Sequence, residues 1–175
     1  MDRSLYHAGN LLLLALLVGG SVFVFDTLPE RVPIHYGIDG TPDRWTERSW
    51  FAWMLIPGLA VLLTGMMYGL ARFMRRHPDH INTPDPKRYQ QLSAEQKQTV
   101  VDQQMGMMWG ITLAMNLMFV AIQWGGYQAS IGVQDGLPLW SMLSIAAFVV
   151  VTMVLALRAL TTSNKLIKTL SGAAQ

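Results

Sequence analysis

The sequence predicts an all-α fold: a polytopic membrane helix bundle with four transmembrane helices and both termini cytoplasmic. Four stretches, 8–25, 50–71, 106–127 and 138–157, carry no charged residue. Each is apolar or weakly polar all round, where a soluble helix would keep a charged face. Even the shortest gives roughly 27 Å of helix, close to the thickness of bilayer hydrocarbon. The composition agrees, because hydrophobic residues make up 51% of the chain and charged residues only 14%, against about 25% charged in a typical soluble domain. Helices are the open structures that satisfy their own backbone groups in lipid.

The first span runs over 8–25. A cleavable secretory signal is the competing reading, since Arg3 precedes the apolar run 11–18 and Gly19, Gly20 and Ser21 follow it. No Ala-x-Ala pattern comes next, and apolar character resumes through Val22, Phe23, Val24 and Phe25. The segment is therefore read as a retained span. The 26–49 connection is net acidic, with Asp26, Glu30, Asp39, Asp43 and Glu47 against Arg31, Arg44 and Arg48. Between the second and third spans lie Arg72, Arg75, Arg76, Lys87, Arg88 and Lys97, and Arg158, Lys165 and Lys168 follow the fourth. The positive-inside rule then places the 72–105 loop and both termini in the cytoplasm, and 26–49 and 128–137 outside. A periplasm-active reporter fused near Asp39 is expected to be active and one near Asp85 silent; the reverse pattern would overturn this topology.

Within the 72–105 loop, Pro78 and the basic cluster before it end the second helix, and Pro84, Asp85 and Pro86 make a stiff passage. Helix resumes at Ser93, whose spacing to Gln96 is that of a capping box, and one helix is expected to run through Val100 and Met105 into the third span. Connections this short predict a single transmembrane domain over 1–175. The formal net charge of +2 gives no sign of nucleic-acid binding. No cysteine is present, so disulfides and thiolate chemistry are excluded. No cofactor motif is found.

Gly58, Gly65 and Gly69 in the second span, and Gly106 and Gly110 in the third, form small-residue stripes that predict close helix approach. Met105, Met107, Met108, Met115 and Met118 fill gaps or line an adaptable surface. Asn116 and Gln123 share a face of the third span and are expected to hydrogen-bond neighbouring helices. None of the four stretches contains Asp, Glu, His, Lys or Arg. Such a group costs about 3 kcal/mol at the bilayer centre and is usually kept for proton relay, ion coupling or catalysis. Its absence argues against a proton-coupled transporter or an intramembrane protease.

The segment 28–45 demands a defined shape. Pro29, Pro33 and Pro42 restrict φ, Gly37 and Gly40 permit positive φ, and Asp39-Gly40 is a tight-turn dipeptide. Too small for its own core, the segment must form a cap packed on the outer helix ends, with Trp45, Trp50 and Trp53 at headgroup level. Its Pro29, Pro33, His35, Gly40, Pro42, Asp43 and Trp45, followed by Pro57, resemble a bacterial membrane domain of unknown function. That domain forms the N-terminal part of SdpI-type immunity proteins. The resemblance covers roughly 11–70 and implies a multi-pass protein of the bacterial cytoplasmic (inner) membrane that protects against a secreted peptide toxin. In the best-known case, such proteins hold a transcriptional repressor at the membrane. Those proteins carry further spans, from which a four-span chain departs.

Read from the residues, His35 and Asp43 admit three roles. Asp43 would accept backbone N–H bonds from the turn around Gly40 while His35 braces the adjacent strand. Alternatively, His35, Tyr36, Asp39, Asp43 and Trp45 would together bind a cationic, apolar extracytoplasmic peptide. Metal binding or catalysis is the third role, with His35, Asp39 and Asp43 suitable in ligand type but not helical in spacing. His77, Pro78, Asp79 and His80 read as a solvated loop. The function predicted is non-enzymatic ligand binding by the cap, with toxin immunity or envelope-stress protection as its purpose. The alternatives are a small membrane enzyme or metal-dependent factor using His35 and Asp43, and an auxiliary subunit whose glycine stripes face a membrane-protein partner or a second copy.

Overall fold

A computed structural model describes residues 3–172; the Arg3 side chain lies outside the described residues. Four helices are long and apolar enough to cross a membrane, so the chain is a multi-pass membrane protein. The helices and strands run in the order α1 (Arg3–Val24), the hairpin strands β1 (Arg31–Tyr36) and β2 (Pro42–Glu47), α2 (Trp50–Trp53), α3 (Leu55–Arg76), α4 (Pro86–Gln90), α5 (Ala94–Ser130) and α6 (Leu139–Gly172), of which α1, α3, α5 and α6 are the four long apolar helices. The two-stranded hairpin is the only sheet among the described residues.

α5 is the hub, packed against α1, α3 and α6. It runs unbroken through 37 residues, as its pattern predicted, and starts with the expected capping box. The Ser93 hydroxyl accepts from the Gln96 amide at 3.2 Å, and the Gln96 side-chain oxygen accepts from the Ser93 amide at 2.9 Å. The second span is interrupted at Met54, between α2 and α3. Pro57 causes a specific deficit there, because it has no N–H to offer the Trp53 carbonyl four residues earlier. The Gln123 side-chain amide of α5 supplies the missing donor, 3.3 Å from that carbonyl. A kink in lipid is thus tolerated because a neighbouring helix satisfies the freed group.

Asn116 also behaves as expected and links three helices. Its amide donates to Asn10 of α1 at 2.9 Å and accepts from the Thr64 hydroxyl of α3 at 3.1 Å. All three residues are buried. Asn10 carries the same signal in the sequence as Asn116, a lone Asn near the start of an apolar run. Met105, Met108 and Met115 are buried between helices, so these thioethers fill gaps.

The glycine stripes depart from expectation. A Cβ at Gly58, Gly65, Gly69 or Gly106 would meet nothing within 4 Å, so none of these positions sits in a close helix–helix contact. Gly110 does sit in a contact, against Leu155 and Tyr6. Close approaches not predicted occur at Gly9, against Leu113, and at Gly125, against Ser141 and Pro138. The spacing of small residues specifies a face but not its direction.

α6 exceeds the predicted span by fifteen residues. Ala159, Ser163 and Ile167 recur at helical spacing and are buried, and Ile167 joins a core with Tyr89, Leu92 and Val100. At this end of the bundle Lys97 binds Asp79 at 2.6 Å, which holds the Asp79 carboxyl below the usual carboxylate range. Burial, helped by the charge of Asp79, pushes the Tyr89 hydroxyl up to about 12.

Candidate functional site

The cap follows from its turn chemistry. Gly40 adopts φ +82°, as the Asp39-Gly40 turn predicted, and the Gly37 amide donates to the Thr41 carbonyl at 2.8 Å to close the hairpin. The turn is braced by Asp39 and not, as expected, by Asp43. The Asp39 carboxylate accepts from the Thr41 hydroxyl at 2.7 Å and from the Thr41 amide at 3.0 Å, and these bonds hold its carboxyl below the ordinary range. Asp43 instead meets His35, with Nδ1 and Oδ1 2.6 Å apart and both side chains about half exposed, at 56% and 50%. The ladder is irregular on either side of His35.

The hairpin is docked at both ends. At its tip the Gly40 carbonyl accepts from the Leu137 amide at 2.8 Å, and Gly136 packs directly on that carbonyl. At its base Val32 is buried with Phe25, Leu28 and Trp53. The Arg48 amide donates to the Glu30 carbonyl at 2.7 Å, and its guanidinium donates to the Leu28 carbonyl at 2.8 Å and lies over the Phe25 ring. Trp50 stacks on the same Phe25 ring, with centroids 3.6 Å apart. The expected cap on the helix ends is therefore present.

Of the five predicted ligand-binding residues, the structure brings His35 and Asp43 together and gives the others separate surroundings. Tyr36 points its hydroxyl against Gly126 of α5, buried and without a hydrogen-bond partner. Burial raises that hydroxyl from 10.0 to about 12. Its folded state therefore holds the proton more tightly, and the stability this represents is intact below pH 10 and lost as pH rises through about 12. Tyr36→Phe is expected to be neutral or stabilising by up to about 1 kcal/mol, since no bond is lost, and to blunt the alkaline loss; thermal unfolding at neutral and alkaline pH checks both. Trp45 is 42% exposed and lines an open groove of about 640 Å³ with Glu30, Arg31 and Arg48. Among the described residues no three His, Asp or Glu side chains converge as a metal site, so Asp39 does not complete a ligand set with His35 and Asp43.

A second concavity, absent from the sequence reading, lies directly under the cap between α1 and α5. It has about 360 Å³ of space and is walled by Leu17, Phe23, Val24, Trp53, Val120 and Trp124. Its polar lining is sparse: Ser21, Gln123 and Tyr127. The Ser21 hydroxyl is buried without a partner, while its carbonyl accepts from the Trp53 indole at 2.9 Å. Trp53 belongs both to this wall and to the cap core, so groove and cap are one unit. No local pattern could have found it, because its walls are 100 residues apart in sequence.

Residues 11–61 match a domain of unknown function, DUF1648. The match covers α1 from Leu11 onward, the whole cap and the opening of α3, including Pro57. An uncharacterised protein of Archaeoglobus fulgidus is 31% identical over 80 residues, which cover 43% of this chain and 42% of that protein. The matched region thus spans less than half the length of that curated relative. No solved structure matches the chain.

Proposed function

We propose that this chain is a non-enzymatic protein of the cytoplasmic membrane that captures a cationic, amphipathic peptide at its outer face, in keeping with the protection against a secreted peptide toxin that its resemblance to SdpI-type immunity proteins implies. The observation that carries this reading is the apolar groove under the cap. It is the size of a few side chains, lies at the cap end of α1 and α5, and shares Trp53 with a hairpin whose connection is net acidic. Such a ligand would lay its apolar residues along Phe23 and Trp124 and its cations near the carboxylates of the cap. The matching domain supports the reading only at the level of the cap and its two flanking helices. The basic 72–105 loop supports a cytoplasmic location for that side and an outer location for the cap.

The test is photo-crosslinking in living cells from positions 23 and 45, with a cationic amphipathic toxin added outside. Crosslinks to the peptide at both positions, together with greater toxin sensitivity on deletion, are expected. Unchanged survival on deletion and overexpression across a toxin panel, with no crosslink, would reject it.

A second reading has its own observation. Gly58 and Gly65 share one open face of α3, available to a partner helix. An auxiliary-subunit or homo-oligomeric role uses that face, and a monomer only in gentle detergent would dismiss it.

A further inference from the structure

At the opposite end of the spans from the cap, the last turns of α3 border a separate open pocket with α1 and α5, of about 500 Å³. One wall is cationic, formed by Arg72, Arg75 and Arg76; the other is aromatic, formed by His7, Tyr68 and Trp109. The aromatic wall is one interlocked unit. His7 Nδ1 lies 2.7 Å from the Tyr68 hydroxyl, and the Trp109 ring lies 4.7 Å from His7 and 4.6 Å from Tyr68. Arg75 pairs with Asp102 at 3.4 Å. Among the described residues Arg72 and Arg76 have no carboxylate partner. Trp109 contributes an indole N–H that is buried and has no acceptor. Gly69 lines the same cavity and has nothing within 4 Å of its missing Cβ, so the space beside Arg72 is open.

Topology alone needs cations in the loop, but it does not need them to converge on an aromatic-walled cavity. Guanidinium groups recognise phosphate through paired N–H donors. The end of α3 sets these donors at headgroup depth, where basic pockets between helices take anionic lipid. We propose that this cavity binds a phosphate group, presented by an anionic phospholipid of the leaflet that faces the basic loop. Arg72 and Arg76 hold the phosphate charge, and the aromatic wall shields it from water. A zwitterionic lipid is disfavoured because its own cation meets the arginines.

The full chain in detergent is titrated with phosphatidylglycerol and, separately, phosphatidylcholine, and retained lipid is counted by native mass spectrometry. Thermal unfolding with inorganic phosphate forms a parallel arm. Phosphatidylglycerol is expected to be retained at least tenfold better. The double substitution Arg72→Gln and Arg76→Gln should weaken retention about thirtyfold, as expected for two surface cations. Gly69→Leu, which keeps every charge but fills the cavity, should weaken it as well, and it carries the test if the arginine variant does not fold. Stabilisation by inorganic phosphate without preference for phosphatidylglycerol upholds the phosphate site and assigns a soluble source. Equal retention of the two lipids with no effect of phosphate overturns the site, as does retention indifferent to both substitutions.

Discussion

Asn116→Ala is expected to destabilise the bundle by about 2–4 kcal/mol, the largest effect of any single polar substitution in the spans. Asn116 is fully buried on α5 and is bonded both to Asn10 on α1 and to Thr64 on α3. Each interhelical hydrogen bond in a membrane protein contributes about 0.6–2 kcal/mol. Truncation removes two of them, leaves the Asn10 oxygen without its donor and opens a cavity. Asn10 cannot easily turn away, because its own amide already donates to the Tyr6 carbonyl at 2.9 Å. Unfolding in mixed micelles, followed by circular dichroism, should show the lowered midpoint. An Asn10→Ala, Asn116→Ala pair should cost clearly less than the sum of its parts, since both remove the same bond. Full additivity, or an unchanged midpoint, would show that the network is dispensable.

Gly136→Ala should release the tip of the cap. A methyl group at Gly136 would fall on the Gly40 carbonyl, with Thr41 Cα 3.2 Å away. These obstacles are backbone, so no side-chain rotation relieves the overlap. The Leu137 amide to Gly40 carbonyl bond of 2.8 Å must lengthen or break. Overpacking of this kind costs about 1–3 kcal/mol, and here it falls on one docking contact, not on the bundle. Trypsin added to proteoliposomes should cut faster at Arg31 or Arg44, while helix content stays constant. Gly20→Ala, in a helix with nothing within 4 Å, is the matched control and should leave the rate unchanged. Equal cleavage of Gly136→Ala and the control would mean that the tip is not held there. If Gly136→Ala also abolished peptide crosslinking from position 45, the docked cap would be part of the ligand site.

Much of the fold was legible because its signals are local. A run of eighteen uncharged residues commits a segment to lipid wherever the rest of the chain lies. The Ser93 and Gln96 spacing started α5, and the Asp39-Gly40 dipeptide made the hairpin turn, because in each case the stabilising bond spans a few residues. The candidate site was less legible. His35 and Asp43 were singled out together and do pair, yet the bracing role expected of Asp43 belongs to Asp39, two residues from the amide it holds. Either aspartate suited the turn by type, and only the ladder register separated them. The end of α6 was missed for a different reason. Its lysines and arginine marked the limit of the lipid-facing stretch, while Ala159, Ser163 and Ile167 continued the helix against a core outside it.

The sequence by itself determined that four segments are long and apolar enough to cross a membrane, where α5 starts, and that a stiff, acidic loop joins the first two spans. These properties depend on hydrophobic length, capping and turn preference, each settled within a few residues. Tertiary structure alone decided which way the glycine faces of α3 and α5 point, and that Gln123 answers the carbonyl freed by Pro57. It also decided that α1 and α5 part beneath the cap and that the arginines ending α3 meet an aromatic wall. Such features are contacts between different helices, and helical periodicity fixes a side chain's angle about its own axis without naming the neighbour it will meet.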